Sequence, residues 1–278
     1  MDVSLELHHG DCLEVMKTIP DKSIDLILCD LPYGCLTGGG EEKKKRRVLK
    51  RYVDGIETTN TAVYNGGVIS GCSWDIKLNL EAFWKEVKRI RRSDHSPCIH
   101  FCTTKFGYDL IKSNEKEFRY DLVWDKQRGV SFLSANKMPM RSHEMIYVFA
   151  KAGAFYERID EDAPGKGQRT DGHSTTLRKD NMFGTGLKMS NGALKDKACV
   201  KSIIQIKKVG VKTQGHPTEK PESLYRFLIE RYCPPGGMVL DPTAGSFNSV
   251  FTAYDMNRSA IGIEKDKAFY DKGIARLG

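Results

Sequence analysis

The most restrictive feature of the sequence lies in its last fifth. There one short apolar run, Met238-Val239-Leu240, passes through the turn residues Asp241 to Gly245 into a helical stretch, Ser246 to Met256. A second apolar run, Ala260-Ile261-Gly262-Ile263, follows and ends at Glu264. Strand, turn, helix and strand in this order make one complete βαβ unit, and such units build parallel sheets. The same rhythm recurs upstream. Ser23 to Cys29 reads as a buried strand ending at Asp30, and Asp11-Cys12-Leu13-Glu14 has the cap-x-x-Glu form of a helix start that Pro20 brings to a stop. Leu80, Phe83, Trp84, Val87 and Ile90 share one helical face, with strands expected at Cys98 to Cys102, Asp121 to Trp124 and Met145 to Phe149, and a closing helix from Lys265 to Leu277. The expected fold is therefore α/β, doubly wound around a mostly parallel sheet, and 278 residues suit a single domain over 1–278.

Two stretches interrupt the rhythm. Residues 36–71 hold glycines, threonines and the run Lys43-Lys44-Lys45-Arg46-Arg47, and residues 155–215 are glycine-rich, polar and basic. Long polar insertions in a compact domain are uncommon unless functional or disordered. The basic run alone fits a nucleic-acid contact and a solvated loop equally well. The chain is 40% hydrophobic and 29% charged, a polar surplus against the roughly 45–50% and 25% of ordinary globular domains. Its net charge of +8 favours an anionic partner such as nucleic acid or an acidic membrane surface. No apolar run approaches the roughly 18 residues of a spanning helix, so membrane insertion is excluded. The start, Met1-Asp2-Val3-Ser4, lacks the order of a signal peptide, and a cytoplasmic protein is expected. The eight cysteines form no Cys-x-x-Cys pair and read as reduced thiols. Cys98, His100 and Cys102 alternate on one face of a strand, with His95 nearby. Their spacing matches none of the usual structural zinc sites, and no metal is expected.

In open parallel sheets ligands bind beyond the carboxyl ends of the strands, which directs attention to Asp30 and to the Asp241 to Gly245 turn. The turn has a single Gly245 where a dinucleotide site has three spaced glycines, and Glu264 stands about twenty residues further on, where an acid can accept both ribose hydroxyls. A nucleoside cofactor such as S-adenosylmethionine suits this better than NAD. At the other strand end, Asp30-Leu31-Pro32-Tyr33-Gly34 joins a carboxylate, a stiffening proline and an aromatic ring. An exocyclic amine of a nucleobase shares its lone pair with the ring and is a poor nucleophile. Two acceptors on its two hydrogens draw the nitrogen toward tetrahedral geometry and free the pair. Asp30 can be one acceptor and the Leu31 carbonyl the other, with Pro32 restricting the backbone and Tyr33 stacking on a base taken out of the duplex.

In their order along the chain these pieces resemble the β group of amino-methylating DNA methyltransferases, in which the catalytic half precedes the cofactor half. Asp30-Leu31-Pro32-Tyr33-Gly34 is similar to the family's Asp-Pro-Pro-Tyr motif in a Leu-containing form. Gly10-Asp11-Cys12-Leu13 is similar to the segment whose acid meets the cofactor's adenine. Trp74-Asp75, Trp124-Asp125-Lys126 and His143-Glu144-Met145-Ile146 resemble landmarks between the two halves. His216-Pro217-Thr218-Glu219-Lys220-Pro221 resembles the segment lining the methionine end of the cofactor, Asp241 to Ser246 the cofactor loop, and Gly262-Ile263-Glu264 the ribose-binding acid. Two positions depart from the family's Asp-Pro-Phe-Ala-Gly-Ser-Gly loop: Thr243 replaces the Phe and Phe247 the second Gly. Phe247 then either crowds the cofactor or supplies the ring lost at 243, and the otherwise matching site favours the second.

The resemblance implies an enzyme that transfers a methyl group from S-adenosylmethionine to adenine N6 in double-stranded DNA. Asp30, Leu31, Pro32 and Tyr33 are the implied catalytic residues. Asp11, Asp241, Thr243, Gly245, Ser246, Phe247 and Glu264 are implied at the nucleoside end of the cofactor, with His216 and Lys220 near its methionine end. Residues 155–215 are the candidate target-recognition region, and a homodimer is a further implication. Cytosine-N4 methylation uses the same geometry, although members of that kind more often carry Ser where Asp30 stands. An inactive DNA-binding relative is the other alternative.

Overall fold

The computed structural model describes residues 3–33, 47–53, 56–62, 78–130, 135–162, 197–209 and 219–277. The N-terminal third contributes β1 (Leu5–His9), α1 (Cys12–Met16), β2 (Leu26–Cys29), β3 (Arg47–Val53) and β4 (Ile56–Ala62). The middle contributes α2 (Leu80–Ile90), β5 (Cys98–Cys102), α3 (Thr104–Ser113), β6 (Phe118–Val130), β7 (Arg141–Phe149), β8 (Glu161–Asp162), β9 (Lys197–Ala198) and β10 (Ile203–Gln205). The chain then forms α4 (Glu222–Tyr232), β11 (Met238–Asp241), α5 (Asn248–Asp255), β12 (Ser259–Glu264) and α6 (Lys267–Ile274).

Eight of these strands form one sheet in the order β1-β12-β11-β2-β5-β7-β6-β10. Every neighbouring pair is parallel except β5 with β7 and β6 with β7, so β7 alone runs against the rest. A sheet of this kind needs cover on both faces. Along β2, Leu26 and Leu28 enter one buried cluster with α4 and α5, while Ile27 and Cys29 enter the other with α1, α2 and α3. The sequence of β2 is accordingly apolar throughout rather than alternating.

The helices start at the caps their sequences supply. Asp11 accepts from the Leu13 N–H and Asn79 from the Ala82 N–H, and Asp266 caps α6 on two amides. Helix α2 buries Phe83, Trp84, Val87 and Ile90, the face expected from their spacing. Helix α5 begins at Asn248 rather than Ser246, because Phe247 takes a left-handed conformation (φ 61°, ψ 13°) that cannot belong to the helix. Strands β1 and β10 and helices α3 and α4 were not expected from the sequence.

Of the first insertion, β3 and β4 form an antiparallel hairpin in register from Arg47 opposite Ala62 to Val53 opposite Ile56. Lys43 to Arg46 lie outside the described residues. In the second, β8 pairs with β9, and β10 joins the edge of the main sheet beside β6. Among the described residues no helix is long and apolar enough to cross a membrane.

Candidate active site

Strand order places the site. The chain leaves β11 for β12 on one side of the sheet and leaves β2 for β5 on the other, so the carboxyl ends of β11 and β2 flank a topological switch point, where open α/β sheets bind ligands. Asp30-Leu31-Pro32-Tyr33 follows β2 there, and Asp241 to Gly245 follows β11. The two segments expected to carry chemistry are thus brought side by side.

Asp30 stands at one end of a chain of alternating charges that runs through Lys220 and Glu144 to Lys126. One carboxylate oxygen accepts from the Tyr33 hydroxyl at 2.5 Å, and the other accepts from the Lys220 ammonium. The Lys220 side chain is only 4% exposed, and its Nζ also lies 3.7 Å from Oε2 of Glu144. Oε1 of Glu144 accepts from Lys126 Nζ at 2.5 Å. Burial lowers the Lys220 pKa, but Asp30 and Glu144 outweigh it and the net shift is upward. Burial likewise raises the Glu144 carboxyl, and Lys220 and Lys126 overcome that and hold it below its ordinary value. The Tyr33 phenol is pushed well up by burial and by Asp30. Its ring lies 5.0 Å from Phe106, and its hydroxyl also sits 3.0 Å from the Phe101 carbonyl. Lys126 and Glu144 belong to the two landmark segments of the sequence, yet nothing in their local pattern told of a meeting with Asp30. Lys220, expected near the methionine end of the cofactor, has its ammonium on Asp30.

The cofactor side is organised by backbone amides and acids. Glu264, at the end of β12, accepts from the Gly245 N–H at 2.8 Å through one oxygen and from the Asp266 N–H at 2.7 Å through the other. Gly245 itself has φ 54°, a conformation that side chains rarely adopt. Burial raises the Glu264 carboxyl, and the amide hydrogen bonds act against it. Asp241 is turned into its own loop. It accepts from the Thr243 N–H at 3.0 Å and from the Ser249 hydroxyl, and burial pushes its carboxyl up to about 7. Asp11 caps α1 and pairs with Lys265 at 3.0 Å, and the pairing of β1 with β12 sets it beside Glu264. Ser246 is half-buried, and its carbonyl accepts from Arg276. His216, like Trp74 and Asp75, lies outside the described residues.

One expectation is overturned. Phe247 neither crowds a cofactor nor replaces the ring missing at 243, because its side chain is fully buried and faces away from solvent. It packs on Gly262 of β12, where a Cβ would come within 2.7 Å of Cδ1, and on Gly273 of α6. The left-handed backbone that a glycine would adopt freely is thus retained here by a phenylalanine anchored in the core.

The residues present fit S-adenosylmethionine. Each Glu264 oxygen, having accepted one amide, keeps a lone pair for a ribose hydroxyl. The Thr243 hydroxyl oxygen, in the turn after β11, is buried with no hydrogen-bond partner among the described residues, an acceptor or donor in want of a ligand. The cysteine and histidine alternation resolves differently. Cys29, Cys98 and His100 converge with ligand atoms within 4.8 Å, and Cys102 does not join them. Cys29 Sγ lies 3.3 Å from Nδ1 and Cys98 Sγ 3.2 Å from Nε2 of the same ring. The thiols thus satisfy opposite nitrogens of a histidine enclosed by Phe83, Trp84 and Phe149.

The Asp30 turn at the end of β2 is thus set beside the Gly245 turn at the end of the adjacent β11, with Glu264 at the end of β12 one strand further on. Residues 24–276 match the model of the N6/N4 DNA methylases, and the chain belongs to that family, whose methyl donor is S-adenosylmethionine. It is 26% identical to the DNA adenine methyltransferase YhdJ of Escherichia coli (strain K12), over 97% of this chain and 81% of that protein. The fold is similar to that of M1.HpyAVI in complex with S-adenosylmethionine, with a TM-score of 0.57 at 15% identity over 99% of each chain. It is also similar to the cytosine-N4-specific PvuII DNA methyltransferase, with a TM-score of 0.60 at 14% identity over 99% of this chain and 86% of the other.

Proposed function

We propose that this DNA methyltransferase methylates the N6 amine of adenine, taking the base out of the double helix to do so. The observation that carries the reading is the Asp30 carboxylate, fixed between Tyr33 and Lys220 at the switch point beside the Gly245 turn after β11, which Glu264 at the end of β12 holds by a hydrogen bond. When bound, S-adenosylmethionine supplies an electrophilic methyl group. The remaining work falls to this chain. Asp30 and the Leu31 carbonyl accept the two hydrogens of the amine, which turns its lone pair out of conjugation. Pro32 restricts the turn that presents the carbonyl. Tyr33, backed by Phe106, offers a ring face to the base, and the tie from its hydroxyl to Asp30 sets the angle of that face. Glu264 and Thr243 hold the nucleoside of the donor, with Asp11 beside them. Residues 155–215 serve as the target-recognition region.

Adenine is preferred on two grounds. The acceptor is Asp, and YhdJ, a DNA adenine methyltransferase, is similar over nearly the whole chain. Cytosine-N4 is the second reading, favoured by the likeness to the PvuII enzyme. Unmethylated genomic DNA treated with the protein and labelled S-adenosylmethionine, then digested to nucleosides, is expected to carry label in N6-methyladenine. Label in N4-methylcytosine would overturn the assignment. Asp30→Ala is expected to lower the rate of transfer at least about 100-fold while leaving cofactor affinity within about threefold, because acceptors aligned on a reacting group act on the transition state. Retained turnover would remove Asp30 from its role.

A further inference from the structure

We propose that Lys220 is a positioning residue for methyl transfer, holding Asp30 in place until the base arrives and then passing to Glu144 as the target amine takes up Asp30. The inference rests on the reading of Asp30 as the amine acceptor, and it gives Lys220 a role other than contact with the cofactor.

Three observations converge. The Lys220 ammonium is buried and hydrogen-bonded to the Asp30 oxygen that Tyr33 leaves open. A second carboxylate oxygen, Oε2 of Glu144, lies 3.7 Å from the same ammonium. That oxygen is itself buried and has no hydrogen-bond partner among the described residues. A buried carboxylate oxygen left in this state is costly unless a donor comes to it at some stage. A shift of Nζ by about 1 Å would give it a normal hydrogen bond. Lys126 meanwhile holds the other Glu144 oxygen, so the receiving carboxylate stays in place.

The charges explain why a shared lysine serves the reaction. A bare carboxylate in a half-buried cleft would turn toward solvent or collect a stray donor, and would then have to be freed before it could meet the amine. Paired with Lys220 it is held in one orientation. A lysine fixed on Asp30 alone would keep competing with the amine and would set a full positive charge beside a nitrogen that is gaining positive character. Glu144 answers both problems, since it takes the ammonium and balances its charge. The alternation Asp30, Lys220, Glu144, Lys126 leaves the four groups neutral as a set wherever the lysine stands.

The test uses the full chain with Lys220→Met, Lys220→Arg, Glu144→Gln and Asp30→Ala. S-adenosylmethionine affinity is measured by titration calorimetry, and single-turnover methylation of unmethylated genomic DNA is measured at saturating cofactor. Lys220→Met is expected to slow the single turnover about 100-fold with cofactor affinity within about threefold, and Lys220→Arg to recover most of the rate. Glu144→Gln, nearly isosteric, is expected to slow it about tenfold with affinity unchanged, and it carries the test alone if Lys220→Met does not fold by circular dichroism. The proposal falls if Lys220→Met or Glu144→Gln turns over at the wild-type rate. It falls equally if Lys220→Met loses about tenfold or more in cofactor affinity and regains its rate at saturation, the behaviour of a partner for the cofactor's carboxylate. Asp30→Ala separates the two readings. Turnover kept in that variant removes the acceptor role itself, whereas turnover lost there and kept in Lys220→Met removes only the role of Lys220.

Discussion

Asp241 shapes the cofactor loop at a cost in stability that depends on pH. Burial raises its carboxyl to about 7 from an ordinary value of 3.8, so between these values the folded protein holds a proton that the unfolded chain has released. Stability therefore falls as pH rises through that window and levels off above it. Thermal unfolding is expected at a lower temperature at pH 7.5 than at pH 5 on account of this residue, and Asp241→Asn, which keeps the acceptor for the Thr243 amide, should flatten that part of the profile; an unchanged slope would place the dependence elsewhere. Glu264→Ala removes the acceptors of two backbone amides and, on the proposed reading, of the cofactor's ribose, and cofactor affinity is expected to weaken at least about tenfold by calorimetry. Glu264 was legible in the sequence because an acid ending a strand at a set distance from a glycine turn is a local pattern. The pairing of Lys220 with Asp30 was not, since the two stand 190 residues apart and meet only through the sheet order. Phe247 misled for a related reason. Its surroundings, Gly262 and Gly273, belong to two other elements.

Among the elements, α6 is held to the sheet by that phenylalanine, and the packing leaves no room to spare. Phe247→Ala should cost about 3–5 kcal/mol, as for other buried aromatics cut back to Ala. Gly273→Ala sets a methyl group against the ring and should cost about 1–3 kcal/mol. Combined, the two should cost less than their sum, because the small side chain at 247 leaves space for the new methyl. Urea unfolding of the four proteins in the cycle checks this, and simple additivity would mean that α6 moves aside instead. Elements with strong local signals were legible: α2 by its apolar face, β2 and β12 by short apolar runs, and the β11 to β12 unit nearly residue for residue. Strands β6 and β7 were legible only at their buried ends, because the outer parts of this hairpin, such as Gln127, Arg128 and Ser142, are exposed and carry no apolar period. Strand β1 was not legible, since Leu5-Glu6-Leu7 is short and finds its place only by pairing with β12.

For the molecule as a whole, the net charge of +8 finds a use once the partner is DNA. The outer part of the β6 and β7 hairpin presents Arg128, Lys137 and Arg141 as exposed residues on the strands that also carry Lys126 and Glu144 and on the turn between them. Replacing Arg128 and Arg141 with Gln should reduce the slope of log affinity against log salt by about 1 for each phosphate that is no longer neutralised, measured by fluorescence anisotropy on duplex DNA. An unaltered slope would locate the phosphate-binding cations elsewhere, the Lys43 to Arg47 run being the next to test. The doubly wound, mostly parallel plan was legible from the repeated apolar runs, whereas the single reversed strand β7 was not, because a buried strand reads the same in either direction. The strand order carries one more consequence, for the timing of activity. The Asp30 turn after β2 and the Gly245 turn after β11 are neighbours in the sheet but stand far apart in the sequence, and β1 closes on β12, which follows β11. A ribosome must therefore carry synthesis from Asp30 past Gly245 before either turn has its neighbour, and a product cut short ahead of β11 would hold every residue of the Asp30 turn without the strand that completes its surroundings.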